Sequence, residues 1–253
     1  MGIGKKVSWA ALGVVLGVTL VIGGSALAAG GSPSGTATLT TPANRPANGG
    51  PGLLIGAVHA DGTWTFADGS TKELSADFGR ITAVGSGSIS LHRADGQDVT
   101  VPTSDATCVR QRGQEATVGD LQTGEAALVI QQDGQAQVVR AGIPIRGGTP
   151  CGLFAEVVHG HSTVLYRDGT TRTFDLDPGR ITKVGDGSIT LIRRDRSTVT
   201  VPTTATTAVV LDCKRAKLSD LKAGDLAMAV SEDGSAVLIH ASDGLEMAGA
   251  DHT

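Results

Sequence analysis

Residues Gly79–Pro102 read GRITAVGSGSISLHRADGQDVTVP, and one hundred positions later Gly179–Pro202 read GRITKVGDGSITLIRRDRSTVTVP. In each stretch apolar residues alternate with polar ones, as in Ile89, Leu91, Val99 and Val101, and turn residues interrupt the runs. A period of two places one face of a strand on a core, so each copy is predicted to form short antiparallel strands in a meander. The chain is a tandem repeat.

Without gaps, the similarity extends from Gly52 against Gly152 to about Ala141 against Ala241, with about four positions in ten identical. Asp68-Gly69 faces Asp168-Gly169, and Asp133-Gly134 faces Asp233-Gly234. Asp-Gly between apolar runs signals a hairpin, because both residues tolerate the positive φ of primed turns. The first repeat is predicted to hold strands near Leu53–Ala60, Thr63–Ala67, Ser70–Ala76, Arg80–Val84, Ser88–Arg93, Asp98–Val101, Thr107–Val109, Ala126–Gln131 and Ala136–Ala141. One helical turn is expected at Val118–Leu121. The fold class is therefore all-β: two tandem small antiparallel barrel- or sandwich-like repeats, at 52–146 and 152–244, each with a complete apolar set. Closure into a barrel is the economical way for such units to hide their edges.

Composition agrees with that class. The 253 residues are 40% hydrophobic but only 3% aromatic, with 36 glycines, which suits many tight turns around an aliphatic core. The net charge is −4, so nucleic acid is not an expected partner, because phosphate binding needs an excess of Lys and Arg. The first repeat is acidic and the second close to neutral.

Residues 1–29 place Lys5 and Lys6 ahead of an uncharged run that ends in Gly23, Gly24 and the A-x-A site Ala26-Leu27-Ala28. This reads as a signal peptide cleaved after Ala28, or as an uncleaved apolar anchor helix, since the run also has the length of a bilayer span. Residues 30–51 are rich in Gly, Ser, Thr and Pro and read as a flexible tether with an end-to-end distance of about 25 Å. The tail 245–253 has no periodicity. Export puts Cys108, Cys151 and Cys213 in an oxidising compartment, where one disulfide and one odd thiol are expected. Cys108–Cys151 and Cys151–Cys213 both remain open, and either is worth about 4 kcal/mol in the chain-entropy account.

The pattern G-R-I-T-x-V-x-x-G-S-I-x-L, then V-T-V, then D-L-x-x-G-[DE], resembles the small β-domains of unknown function found in exported bacterial envelope proteins, particularly actinobacterial ones. It spans roughly Gly79–Ala141 and Gly179–Ala241. The resemblance implies a fold and a compartment, and no catalytic residue.

Several residues are of types that carry chemistry. His159 and His161 lie two apart on a predicted strand, the spacing of two metal ligands on one face, but a third ligand is lacking from the pattern. Cys108 with His59 upstream has the composition of a nucleophile and its base, yet the second repeat carries Ala208 there. His59 and His159 recur, which a polar residue at a strand end would explain. Trp64, Phe66 and Tyr166 read as core. No G-x-S-x-G, H-E-x-x-H or phosphate-binding glycine loop occurs, so no cofactor is assigned. Arg193, Arg194 and Arg196 at a hairpin tip, with Lys214, Arg215 and Lys217 in a later loop, form a possible contact for an anionic cell-wall polymer or lipid headgroups. The expected function is a non-enzymatic, extracytoplasmic envelope protein that binds or spaces. The alternative is an envelope enzyme using Cys108 with His59, or a metal on His159 and His161.

Overall fold

A computed structural model describes residues 56–142 and 156–243. The expected export segment with its apolar helix, the tether, Cys151 and the tail lie outside these residues. Among the described residues no helix is long and apolar enough to cross a membrane.

The described chain is all-β. The first half contributes β1 (Ala57–Phe66), β2 (Thr71–Val84), β3 (Ser88–Arg93), β4 (Asp98–Pro102), β5 (Cys108–Gln111), β6 (Gln114–Ala116), β7 (Ala126–Gln132) and β8 (Gln135–Ala141). The second half contributes β9 (Val157–Tyr166), β10 (Thr171–Gly185), β11 (Ser188–Ile192), β12 (Thr198–Leu211), β13 (Lys214–Ala216), β14 (Leu226–Glu232) and β15 (Ser235–Ser242). The expected helical turn is a single 3-10 turn at Val118–Asp120, matched by another at Leu218–Asp220.

In the second half β10, β11, β12, β15 and β14 pair in a closed ring, with β12 and β15 parallel and the rest antiparallel. That ring is a small barrel around Ile181, Ile189, Leu191, Val201 and Ile239. The first half repeats most of the pattern around Ile81, Ile89, Leu91, Val101 and Val139, but β4, standing with β5 where β12 runs unbroken, pairs with β3 alone, so its hydrogen-bonded ring is open between β4 and β5. Short, alternating strands make this possible, since each sends every second side chain inward.

Two predicted breaks do not exist. The strands expected to end near Ala60 and Ala76 continue, so β1 passes through Asp61-Gly62 and β2 through Asp77-Phe78-Gly79. The glycines there answer to crowding, not to a turn. A Cβ on Gly79 would lie 2.7 Å from the carbonyl oxygen of His92, and one on Gly179 would lie 2.7 Å from that of Ile192. This is where β2 and β10 leave the middle of the molecule and enter their barrels, and only a bare Cα lets the neighbouring backbone come that close.

The next residues of the motif lock the same corner. Arg80 and Arg180 donate to the carbonyls of Gly124 and Gly224 at 2.8 and 2.6 Å. Ile81 and Ile181 fill the barrels. Gly124, at φ 86, donates its N–H to the Ile81 carbonyl, which ties the D-L-x-x-G-[DE] loop to the G-R-I-T strand.

The two halves join through β1 and β9, which pair antiparallel and make one continuous sheet. A third apolar cluster, drawn from both halves, sits on one face of that middle sheet and contains Trp64, Phe66, Phe78, Tyr166 and Phe174. The expected core placement of Trp64, Phe66 and Tyr166 is what the structure has.

Because backbone oxygens are what a Cβ would strike at Gly79 and Gly179, Gly79→Ala and Gly179→Ala should each cost about 1–3 kcal/mol. The expected readout is a lower urea midpoint at unchanged slope. Parental stability in either variant would mean that the strand pair parts freely and that crowding is not why glycine stands there.

Candidate functional site

On the face of the middle sheet opposite the aromatic cluster, each half carries the same group of polar side chains. Asp77 is 2% exposed and Asp177 is 5% exposed, so each brings a carboxylate into the interior. A buried charge persists only when it is paired and hydrogen-bonded.

Asp77 is met from three sides. His59 Nδ1 on β1 lies 2.8 Å from Oδ1, Arg93 Nη1 at the end of β3 donates at 2.9 Å, and Gln131 Nε2 on β7 donates at 2.6 Å to Oδ2. Asp177 is held likewise by His159 Nδ1 at 2.9 Å and by Arg193, whose Nε donates at 3.0 Å and whose Nη2 also reaches it. Ser231, buried, stands where the first half has Gln131.

The outer ring differs between the halves. His59 Nε2 lies 3.0 Å from Asp61, and Arg93 donates two further bonds, from Nε and Nη2, to Asp95. In the second half His161 Nδ1 lies 2.7 Å from Asp175, whose carboxylate stands 3.9 Å from His159 Nε2. His92, exposed, pairs with Asp98 at 2.7 Å.

The bond to Asp77 raises the His59 imidazole above its ordinary value, burial opposes this, and Asp61 adds to the rise. His159 is raised chiefly by its bond to Asp177, against burial and the nearby Arg193. Burial pushes Asp77 and Asp177 upward, but the histidine and arginine bonds outweigh it and hold both carboxylates below their usual range.

His59 and His159 are mid-strand residues rather than strand ends, and their recurrence reflects the buried aspartates. His159 and His161 share a face as the spacing implied, but each turns to a carboxylate, and no three ligand-type side chains among the described residues are placed to hold a metal ion. Cys108 lies on β5, with β8, β7 and β2 between it and β1, and both ring nitrogens of His59 face carboxylates, so the structure does not bring that pair together.

Arg193 is spent on Asp177, and Arg194 pairs with Glu156 through Nη1. Arg196 is exposed at the hairpin tip with φ 68. Lys214, Arg215 and Lys217 are exposed around β13, near the opposite end of β12 from Arg196. Lys222, also exposed, joins that second group and was not among the sequence candidates. Cys213 is a free, exposed thiol at the turn before β13.

What sequence reasoning missed is the aspartate. The available signal was recurrence: His59, Asp77 and Arg93 each have an identical counterpart one hundred positions on, at His159, Asp177 and Arg193.

Linkage gives the pH dependence. A histidine whose folded pKa is raised contributes stability that is complete below its unfolded value of about 6.5 and is lost as pH rises through the folded value. An aspartate whose folded pKa is lowered contributes stability above its unfolded value of about 3.9 and loses it as pH falls through the folded value. The melting temperature should therefore be higher near about pH 5.5 than near about pH 8, and the difference should shrink in the His59→Gln/His159→Gln double variant. A parental profile that is flat across this range would show that the imidazoles do not couple to folding.

No protein-family model matches this chain, and neither a curated protein nor a solved structure matches it.

Proposed function

We propose that the chain is an exported, non-enzymatic protein of the cell envelope, built as two tandem small β-barrels, with a contact for anionic polymer on the second. The observation that carries the contact is a reversal of charge on a shared scaffold. Residues 211–222 hold Lys214, Arg215, Lys217 and Lys222 against Asp212 and Asp220, whereas residues 111–122 hold Arg112 against Glu115 and Asp120. Strand pairing and the 3-10 turn are the same in both places, so the cations are not required by the fold.

The non-enzymatic reading is supported by the condition of the polar groups. The recurrent histidines and arginines are committed to buried aspartates, which is how a structure spends charge to hold strands together. The Lys5-Lys6 segment with its A-x-A site and the resemblance to envelope β-domains support the compartment. For the disulfide expected in that compartment the proposed pair is Cys108–Cys151, a choice that the free, exposed thiol of Cys213 supports.

Two measurements test this. Non-reducing peptide mapping of the exported protein should find Cys108 joined to Cys151 and Cys213 open to alkylation; three alkylatable thiols would remove the disulfide. Co-sedimentation of the full chain with anionic sacculi, and separately with anionic and neutral vesicles, should show retention on an anionic phase that weakens as salt rises. Retention on sacculi alone would identify wall polymer, and retention on anionic vesicles would identify lipid headgroups. The variant Lys214→Gln/Arg215→Glu/Lys217→Thr/Lys222→Gln copies the first half and should bind at least about tenfold less. Equal retention of parent and variant, or no salt effect, would return these side chains to an ordinary solvated loop.

A further inference from the structure

The β1–β9 seam pairs residues of unequal size. The register is centred on Gly62 opposite Ser162, which are counterparts in the two repeats, so the seam has a local pseudo-twofold axis. On either side of that centre Trp64 lies opposite Gly160, and Ala60 lies opposite Val164. Trp64, Ala60 and Val164 all belong to the shared apolar cluster.

A pseudo-twofold seam between similar strands raises the question of why like strands do not pair, β1 with β1 of another molecule or β9 with β9. An antiparallel pair of equals is the simplest way to cover an open sheet edge. The side chains answer it.

At Gly160 a Cβ would lie 2.6 Å from two ring carbons of Trp64. In a β1–β1 pair the residue opposite Trp64 is Ala60, which carries that Cβ. At Gly62 a Cβ would lie 3.1 Å from the Cβ of Ser162, and 2.8 Å from the His161 carbonyl oxygen. In a β9–β9 pair Ser162 faces Ser162, and both carry that Cβ. Each like pairing therefore meets an overlap that the unlike pairing avoids, and in the unlike pairing Ser162 Oγ also donates to the Asp61 carbonyl at 3.1 Å.

We propose that the β1–β9 seam is a heterotypic docking surface, coded by Trp64 against Gly160 and by Gly62 against Ser162, whose partner is the unlike half and which refuses a like half. Its specificity comes as much from built-in clashes as from attraction. The consequence is that copies of this chain do not associate edge to edge through their first or second halves.

The test uses the full chain with a protease site placed between Gly152 and Leu153, cut after folding, so that the halves stay docked without a peptide tether. Native mass spectrometry of the reduced, nicked protein, after incubation to allow exchange, distinguishes the pairs by mass. The expected result is unlike pairs alone. Introducing Trp64→Val with Gly160→Ala and Ser162→Gly removes both overlaps, and like pairs should then rise toward about half of the total, the share that chance pairing gives. Ser162→Gly alone should admit pairs of second halves and leave pairs of first halves absent. The proposal is overturned if the parental nicked protein forms like pairs at the chance share, if its halves separate into monomers, or if the altered seams still give unlike pairs only.

Discussion

Backbone pairing of β1 with β9 is the contact on which the middle of this molecule depends. Each half packs around its own aliphatic residues, but the aromatic cluster takes Trp64, Phe66 and Phe78 from one half and Tyr166 and Phe174 from the other. Full burial of such side chains contributes roughly 1.5–3 kcal/mol each, an upper estimate because the unfolded chain already hides some of that surface. Without the seam those rings would lie on an open sheet face and two strand edges would stand unpaired. The shortage of aromatics in the chain sharpens the point, since most of its few large rings are concentrated at the junction between the halves.

Asp77 and Asp177 impose the second constraint. A carboxylate so deeply buried is tolerable only while its donors stay in place, and removing one partner of such a pair costs about 3–5 kcal/mol. The donors of Asp77 come from β1, from the end of β3 and from β7, so a single buried charge fixes the seam strand, the barrel hairpin and the intervening sheet relative to one another. Gly79 and Gly179 stand two residues away, where the chain passes from sheet to barrel. Crowded glycine and buried aspartate are two halves of one joint: the first lets the strands approach, the second keeps them there.

Much of this was legible in the sequence, and the failures have physical causes. Period-two alternation in Ser88–Arg93 and Asp98–Pro102 specifies strands because each side chain has an unambiguous inside or outside. Asp68-Gly69 and Asp133-Gly134 are turns as read, with Gly69 at φ 82 and Gly134 at φ 74. Gly62 and Gly79 misled because sequence does not distinguish a glycine that bends the chain from one that admits a neighbour's backbone. Arg193 was read as a surface cation because an arginine at a hairpin tip normally faces water, and nothing local announces an aspartate sixteen residues earlier beneath it. The short β6 and β13 strands escaped because Gln114–Ala116 and Lys214–Ala216 have no apolar alternation; their partners supply the order.

The duplication itself separates what the fold needs from what it does not. Positions kept in both halves, His59 with His159, Asp77 with Asp177, Arg80 with Arg180 and Gly79 with Gly179, are those whose side chains or bare Cα atoms hold strands in place. Among the positions that differ, two groups stand out. One lines the seam, where unequal volumes make the halves complementary instead of interchangeable. The other lies around β13, where four cations have no structural partner in the pattern of the first half. On the proposed reading, divergence at the seam lets two similar units dock edge to edge without inviting a third. The cations around β13 answer to no strand pairing or turn that differs between the halves, and this is the support for the proposed anionic contact.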